Sequence, residues 1–217
     1  MKTHFGVLFD MDGVLVDSNP YHKIAIQEFC KRHGKNLAEE ELLKKVYGRT
    51  NRDWLTNLFG TLSENDFQRY ANEKEALFRE LYAPYIKPVI GLLSFVRDLQ
   101  THHIPYTIST SAPPANVTFT LHAIGADHLF PIILDETFVT KGKPDPEIYL
   151  KSAAAINLAP TQCWVIEDSV SGILAGKSAG CKVAGITTTH SKEEISHADL
   201  VFPDFSHLSV ENLASRI

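Results

Sequence analysis

No run of about 18 consecutive apolar residues occurs in this 217-residue chain, so no segment has the length needed for a membrane-spanning helix. Cysteine is scarce: Cys30, Cys163 and Cys181 are scattered, odd in number and without metal-ligand spacing. That pattern argues against a disulfide framework or a thiolate zinc site and predicts small, reduced core residues in a cytoplasmic protein. Basic excess is missing as well. With 21 Lys and Arg against 26 Asp and Glu the formal charge is −5, which speaks against nucleic-acid or anionic-membrane partners chosen by bulk charge. No basic-then-apolar leader is expected, because Asp10 and Asp12 interrupt the first apolar segment. There are no internal repeats and no low-complexity tract. What remains is ordinary globular composition, 44% hydrophobic and 22% charged, enough for one large core or a core with an insertion.

The informative stretch is Phe5-Gly-Val-Leu-Phe-Asp-Met-Asp-Gly13. Phe5, Val7, Leu8 and Phe9 have the character of a buried strand, which delivers Asp10 at its tip and Asp12 two residues on. Side chains two apart in extended chain point the same way, so both carboxylates are expected to face one pocket while Met11 turns into the protein. Such a pair repels unless a cation, a shared proton or strong hydrogen bonds offset the charge. A calcium loop of the D-x-D-G type is disfavoured, since the glycine comes too early and Tyr21 stands where a bidentate Glu belongs. Two solvated aspartates in a surface turn remain the plain alternative, and the rest of the chain has to decide.

After Gly13 the pattern turns helical. Tyr21–His33, Leu37–Tyr47, Arg52–Phe59 and Asn65–Leu81 read as helices with no strand among them, and Pro84 and Pro88 make a stiff return. This sets an expected division into a core of residues 1–15 and 88–217 and an inserted helical cap of residues 16–87. From Gly91 onward helices and strands alternate. The strands are Ile104–Thr110, Leu129–Leu134, Gln162–Ile166, Lys182–Ile186 and Asp199–Phe202; the helices are Leu92–His102, Pro113–Ile124, Glu147–Ile156, Ser169–Ala179 and a last one from about Ser206. Alternation of this kind predicts an α/β fold with a Rossmann-like parallel sheet flanked by helices, in which ligands bind at the carboxyl ends of the strands.

Polar residues collect at those ends: Asp10, then Ser109-Thr-Ser111, then Lys143, then Glu167-Asp168. Four acids in one crevice call for a hard dication, and oxygen donors select Mg²⁺, which keeps room for a substrate phosphate. The Lys143 ammonium, the Ser109 hydroxyl and the backbone N–H groups of Met11 and Thr110 are candidate donors to phosphoryl oxygens. A carboxylate held against phosphorus is a nucleophile of the aspartyl-phosphate type, assigned to Asp10, with Asp12 as general acid and then base.

Asp10-Met-Asp-Gly-Val-Leu-Val-Asp-Ser18, Ser109, Gly142-Lys-Pro-Asp-Pro-Glu-Ile-Tyr149 and Val165-Ile-Glu-Asp-Ser-Val-Ser-Gly-Ile173 together resemble the four motifs of the haloacid dehalogenase superfamily, in its phosphatase and β-phosphoglucomutase branch. The resemblance implies Asp10 as nucleophile, Asp12 as acid/base, Ser109 and Lys143 as phosphate ligands, and Asp10, the Asp12 carbonyl, Glu167 and Asp168 around Mg²⁺. It also implies that Asp12 favours phosphate chemistry, because the dehalogenases lack that second aspartate. In related enzymes a histidine placed like His22 faces the active site, and the mutases put an arginine at the fourth position of a G-x-x-R stretch. Here Gly48-Arg-Thr-Asn51 has Asn51 at that position, with Arg52 beside it.

Each of these residues also has a plain structural reading. Lys143 would otherwise be a solvated loop lysine, Glu167-Asp168 the start of a helix capped by Ser169, and His22 a satisfied structural residue; Arg49, Arg52, Lys74 and Arg79 read by default as solvated charges. Gly172, Gly176 and Gly180 read as sites of close helix packing. The expected function is a Mg²⁺-dependent phosphatase acting on a small phosphorylated metabolite such as a sugar phosphate. A β-phosphoglucomutase-type phosphomutase is the alternative, and a non-catalytic phosphate-binding regulatory module the remote one. Substrate-binding residues are expected to be Met11, Thr110, His22, Asn51 and Arg52. The expected partner is the small phosphorylated metabolite alone, with no nucleic acid and no membrane, and the chain is expected to work as a monomer or a homodimer.

Overall fold

The structure, a computed structural model, describes residues 5–46 and 50–217. Six parallel strands form one sheet in the order β3-β2-β1-β4-β5-β6: β1 Gly6–Phe9, β2 Tyr106–Ser109, β3 Ile133–Leu134, β4 Cys163–Glu167, β5 Lys182–Ile186 and β6 Leu200–Phe202. The strands β1, β2 and β4 are buried throughout, which is why β1 and β4 up to Ile166 run apolar without alternation, while β2 buries the hydroxyls of Thr107 and Ser109 against hydrogen-bond partners. Helices α5 Leu92–Thr101, α6 Pro114–Ala123, α7 Glu147–Ala155, α8 Val170–Ser178 and α9 Val210–Ala214 alternate with them. Phe9, Phe95, Tyr106, Phe130 and Phe205 make an aromatic core on one side of β1. On the other side Leu8 and Val165 pack with Tyr149, Ala153 and Ile173 of α7 and α8.

Strand order reverses between β1 and β4. The chain leaves β1 for β2 and β3 on one side, then crosses back to place β4 on the other, so the two strand ends flank the crevice where loops diverge. Register puts Phe9 beside Ile166, and Asp10 N–H donates to the Ile166 carbonyl at 3.0 Å. Asp10 and Glu167 are therefore neighbours at the switch point by backbone geometry alone.

β2 is trimmed from the expected Ile104–Thr110 to Tyr106–Ser109, and one strand is far shorter than its sequence predicts. Leu129–Leu134 was expected throughout, but only Ile133 and Leu134 pair as β3. Pro131 supplies no N–H to a ladder at the sheet edge, and the segment before β3 is held by Tyr106 Oη donating to the Leu129 carbonyl and Thr107 Oγ1 donating to the Ile132 carbonyl.

The chain divides into two compact units, Ser18–Tyr85 and the remainder. The first is all helical among its described residues: α1 Asn19–Arg32, α2 Glu39–Lys45, α3 Asn51–Phe59 and α4 Glu64–Tyr82. Phe29 is its packing centre, edge-on to Trp54, Phe59 and Tyr70. Thr50 and Ser63 cap α3 and α4 by accepting from the N–H groups of Asp53 and Asp66. The expected end of α2 at Tyr47, together with Gly48 and Arg49, lies outside the described residues.

Candidate active site

Asp10 ends β1, and the chain then turns tightly: Val14 and Leu15 N–H groups donate to the Met11 carbonyl, and Gly13 takes a left-handed φ of 77° that its missing Cβ permits. Met11 is fully buried and Asp12 half-buried, close enough for its charge to act on Asp10. Thr188, two residues beyond β5, fastens this turn by donating from its hydroxyl to the Gly13 carbonyl.

Lys143 arrives on the loop between β3 and α7. Its Nζ lies 2.7 Å from Asp10 Oδ1, 2.7 Å from Glu167 Oε1 and 3.4 Å from the Ser109 carbonyl, and its side chain is 9% exposed. The reading of Lys143 as a solvated loop residue is excluded. Glu167 is saturated: Oε1 accepts from Lys143 and from Tyr149 Oη at 2.8 Å, and Oε2 accepts from the N–H groups of Asp168 and Ser169 and from Ser169 Oγ. Ser169 caps α8 by accepting from Gly172 N–H, so Glu167-Asp168 also begins a helix, as one of its two readings expected.

Electrostatics follow from this arrangement. Burial, only partly offset by Lys143, raises the Asp10 carboxyl to about 7. Burial and the charges of Glu167 and Asp10 push Asp168 well above the carboxylate range, even though Thr189 donates a hydrogen bond to it. Burial acts on Glu167 too, but the Lys143 ammonium and its hydrogen bonds outweigh it and hold that group below its ordinary value. Burial would lower Lys143, yet Asp10 and Glu167 together keep it well above the usual lysine value, so it stays an ammonium. Three acids, then, surround one cation.

Oxygens from Asp10, Glu167 and Asp168 all lie within 4.8 Å of one another, and all three residues are buried. An all-oxygen, carboxylate-rich donor set with negative charge in excess fits a hard dication such as Mg²⁺. Asp10 and Asp168 have the simplest access to such an ion, because both Glu167 oxygens are already filled by protein donors.

Two expectations are corrected here. The Ser109 hydroxyl was expected at the phosphate, but it is fully buried and donates to Ser152 Oγ of α7 at 2.7 Å; Ser109 meets Lys143 through its carbonyl instead. The Thr110 N–H was expected as a phosphate donor, but it donates to the Leu134 carbonyl at 2.9 Å, continuing the β2–β3 ladder. Strand phase keeps the Ser109 side chain on the face of the sheet that carries Asp10 and Glu167, because Phe9 pairs with both Ile108 and Ile166, and on that face its hydroxyl meets Ser152. The Thr110 side chain turns the other way, and its hydroxyl accepts from Ala112 N–H.

The candidate residues of the helical unit are engaged with one another. Lys74 is buried, with Nζ 2.9 Å from His22 Nδ1 and 2.9 Å from Glu75 Oε1, so its default reading as a solvated charge is wrong. Asn51 Nδ2 donates to the same Glu75 oxygen, Trp54 Nε1 donates to Asn51 Oδ1, and the His22 ring stacks on Phe78 at 3.7 Å. Arg52 is instead exposed, bonded to both oxygens of Glu64 and lying 3.8 Å over the Phe67 ring.

Residues 7–186 match the family described as haloacid dehalogenase-like hydrolase. The chain belongs to that family. Among haloacid dehalogenase-like relatives it is 31% identical to hexitol phosphatase A of Escherichia coli strain K12, over 94% of this chain and 93% of that one. It is 30% identical to β-phosphoglucomutase of Bacillus subtilis strain 168, over 95% and 92%. A solved HAD hydrolase of family IA, variant 3, from Entamoeba histolytica superposes with a TM-score of 0.90 at 32% identity, covering 97% of this chain and 98% of that one. The parallel-sheet core with its helical insertion is thus the family's architecture. Among the described residues no helix is long and apolar enough to cross a membrane.

Proposed function

We propose that this haloacid dehalogenase-type phosphoric monoester hydrolase is a Mg²⁺-dependent phosphatase of a small phosphomonoester, a sugar phosphate or related metabolite, acting through a phosphoaspartate on Asp10. The observation that carries the reading is the Lys143 ammonium, 2.7 Å from Asp10 Oδ1 inside a buried, carboxylate-rich cluster: a nucleophile and an anion-receiving cation side by side. The match to a hexitol phosphatase supports the substrate class.

Asp10, the Asp12 carbonyl and Asp168 would hold the ion, with Glu167 beside them. Bound Mg²⁺ would offset the cluster's charge, keep Asp10 ionised and polarise the phosphoryl oxygens. In the first step an Asp10 oxygen attacks phosphorus, the phosphorus–oxygen ester bond breaks, and Asp12 gives its proton to the departing alkoxide. In the second, Asp12 takes a proton from water, the resulting oxygen attacks phosphorus, and the Asp10–phosphorus bond breaks to release phosphate. Lys143 and the Met11 N–H donate to the equatorial oxygens as charge builds on them. His22 and Asn51 are the proposed recognition residues for the organic group. Arg52 pairs with Glu64 and lies over the Phe67 ring at the surface of the helical unit.

The match to a β-phosphoglucomutase supports a second reading, a hexose phosphomutase. Against it, Asn51 stands where the mutases carry arginine, and its amide donates to the Glu75 carboxylate, a poor neighbour for a second phosphate. A panel of phosphorylated metabolites scored for released phosphate with Mg²⁺ tests the first reading, and an active Asp10→Asn enzyme refutes it. β-Glucose 1-phosphate with a catalytic amount of the bisphosphate separates the two, since a mutase accumulates glucose 6-phosphate and a phosphatase inorganic phosphate.

A further inference from the structure

Tyr149 lies in the first turn of α7, fully buried, and its hydroxyl donates to Glu167 Oε1. That oxygen is also the one that accepts from Lys143, whose Nζ stands 5.0 Å from the Tyr149 ring centroid. An ammonium has three N–H donors, and Asp10 Oδ1, Glu167 Oε1 and the Ser109 carbonyl occupy three directions around Lys143 Nζ. A phosphoryl oxygen entering the site must therefore displace one of them. Glu167 is the competitor that matters, because its second oxygen is fixed by Asp168 and Ser169 and the carboxylate cannot swing away. A carboxylate oxygen shared with a phenol pulls less strongly on a second donor, and its direction is set by the first.

We propose that Tyr149 is a positioning residue for phosphoryl transfer: its hydroxyl shares Glu167 Oε1 with Lys143 and so leaves the ammonium free to turn from Glu167 toward the phosphoryl group at Asp10. This rests on the phosphatase reading of the site. A phenylalanine would fill the same space and keep the ammonium over the ring, so packing by itself does not require the hydroxyl.

The test is Tyr149→Phe, read as kcat and KM on the best substrate of the panel, and by calorimetry as the affinity for orthophosphate with Mg²⁺ and for Mg²⁺ alone. The expected result is a roughly tenfold fall in kcat and a similar weakening of orthophosphate binding, with Mg²⁺ affinity changed by less than about threefold. Because the hydroxyl acts through Glu167, Tyr149→Phe should weaken orthophosphate binding little further when made in a Glu167→Gln background. Wild-type kcat and orthophosphate affinity in Tyr149→Phe overturn the proposal, as does a loss of undiminished size in the Glu167→Gln background. A wild-type protein that neither turns over the panel nor binds orthophosphate overturns the phosphatase reading and this one with it, whereas an active wild type matched by Tyr149→Phe overturns this one alone.

Discussion

Gly172 is pressed against the carboxylate of Glu167: a Cβ at position 172 would stand 1.7 Å from Glu167 Oε1 and 2.3 Å from Oε2. The glycine in the first turn of α8 is there for the acid, where Gly176 serves the helix–strand contact with Val165 and Val183. Glu167 cannot yield cheaply, since five donors hold it.

Gly172→Ala should therefore expel the Glu167 carboxylate and release Lys143 from its position. A displacement of about 1 Å at such a centre costs roughly 10²-fold in kcat. Steady-state kinetics beside a thermal melt check it; a folded Gly172→Ala protein with full activity would show that Glu167 has no part in placing Lys143.

Asp12→Asn removes the proton donor without touching the nucleophile. The expected loss is about 10² to 10⁴ in kcat on an alkyl phosphate, whose leaving group needs a proton. On p-nitrophenyl phosphate, with a leaving group stable as an anion, formation of the phosphoenzyme should be much less affected, so a burst of nitrophenolate should survive. Equal damage to the burst and to alkyl phosphate turnover would remove Asp12 from the acid role.

Magnesium should stabilise the protein against heat. A ligand at 100 times its dissociation constant adds about 2.7 kcal/mol, which for a chain of this size corresponds to a rise of roughly 5–10 °C in Tm. Asp168→Asn, which neutralises a buried acid of the cluster, should lose most of that rise. An unchanged Mg²⁺ response in Asp168→Asn would place the ion elsewhere.

Much of the architecture was legible in the sequence. Apolar strands alternating with amphipathic helices specify a parallel sheet, and Asp10, Lys143 and Glu167-Asp168 meet because strand ends meet. What escaped was orientation and mutual satisfaction. Ser109 and Thr110 are adjacent hydroxyls, and only strand phase decides that the first points to Ser152. Tyr149 and Gly172 belong to the site through contacts with Glu167, and neither residue type carries the chemistry that marks a site in sequence. Lys74 read as a solvated charge because burial of α4 at that turn comes from packing against α1, a tertiary fact.

The buried pair of Lys74 and Glu75 has a consequence for acid stability. Despite the burial of Glu75, the charges of Lys74 and His22 and the Asn51 amide hold its carboxyl down at about 2. A carboxyl whose folded value lies below its unfolded 4.5 adds stability that is complete above about pH 4.5 and is lost as the pH falls from there toward 2. At neutral pH the contribution is on the order of 3 kcal/mol. Glu75→Gln should lower Tm at pH 7, where it leaves the Lys74 ammonium buried without its counter-charge, and should matter much less at pH 3, where the wild-type acid has already forfeited most of its advantage. Melts of both proteins at the two pH values decide it: a Tm difference of equal size at pH 3 and pH 7 means that Glu75 acts by packing rather than by charge.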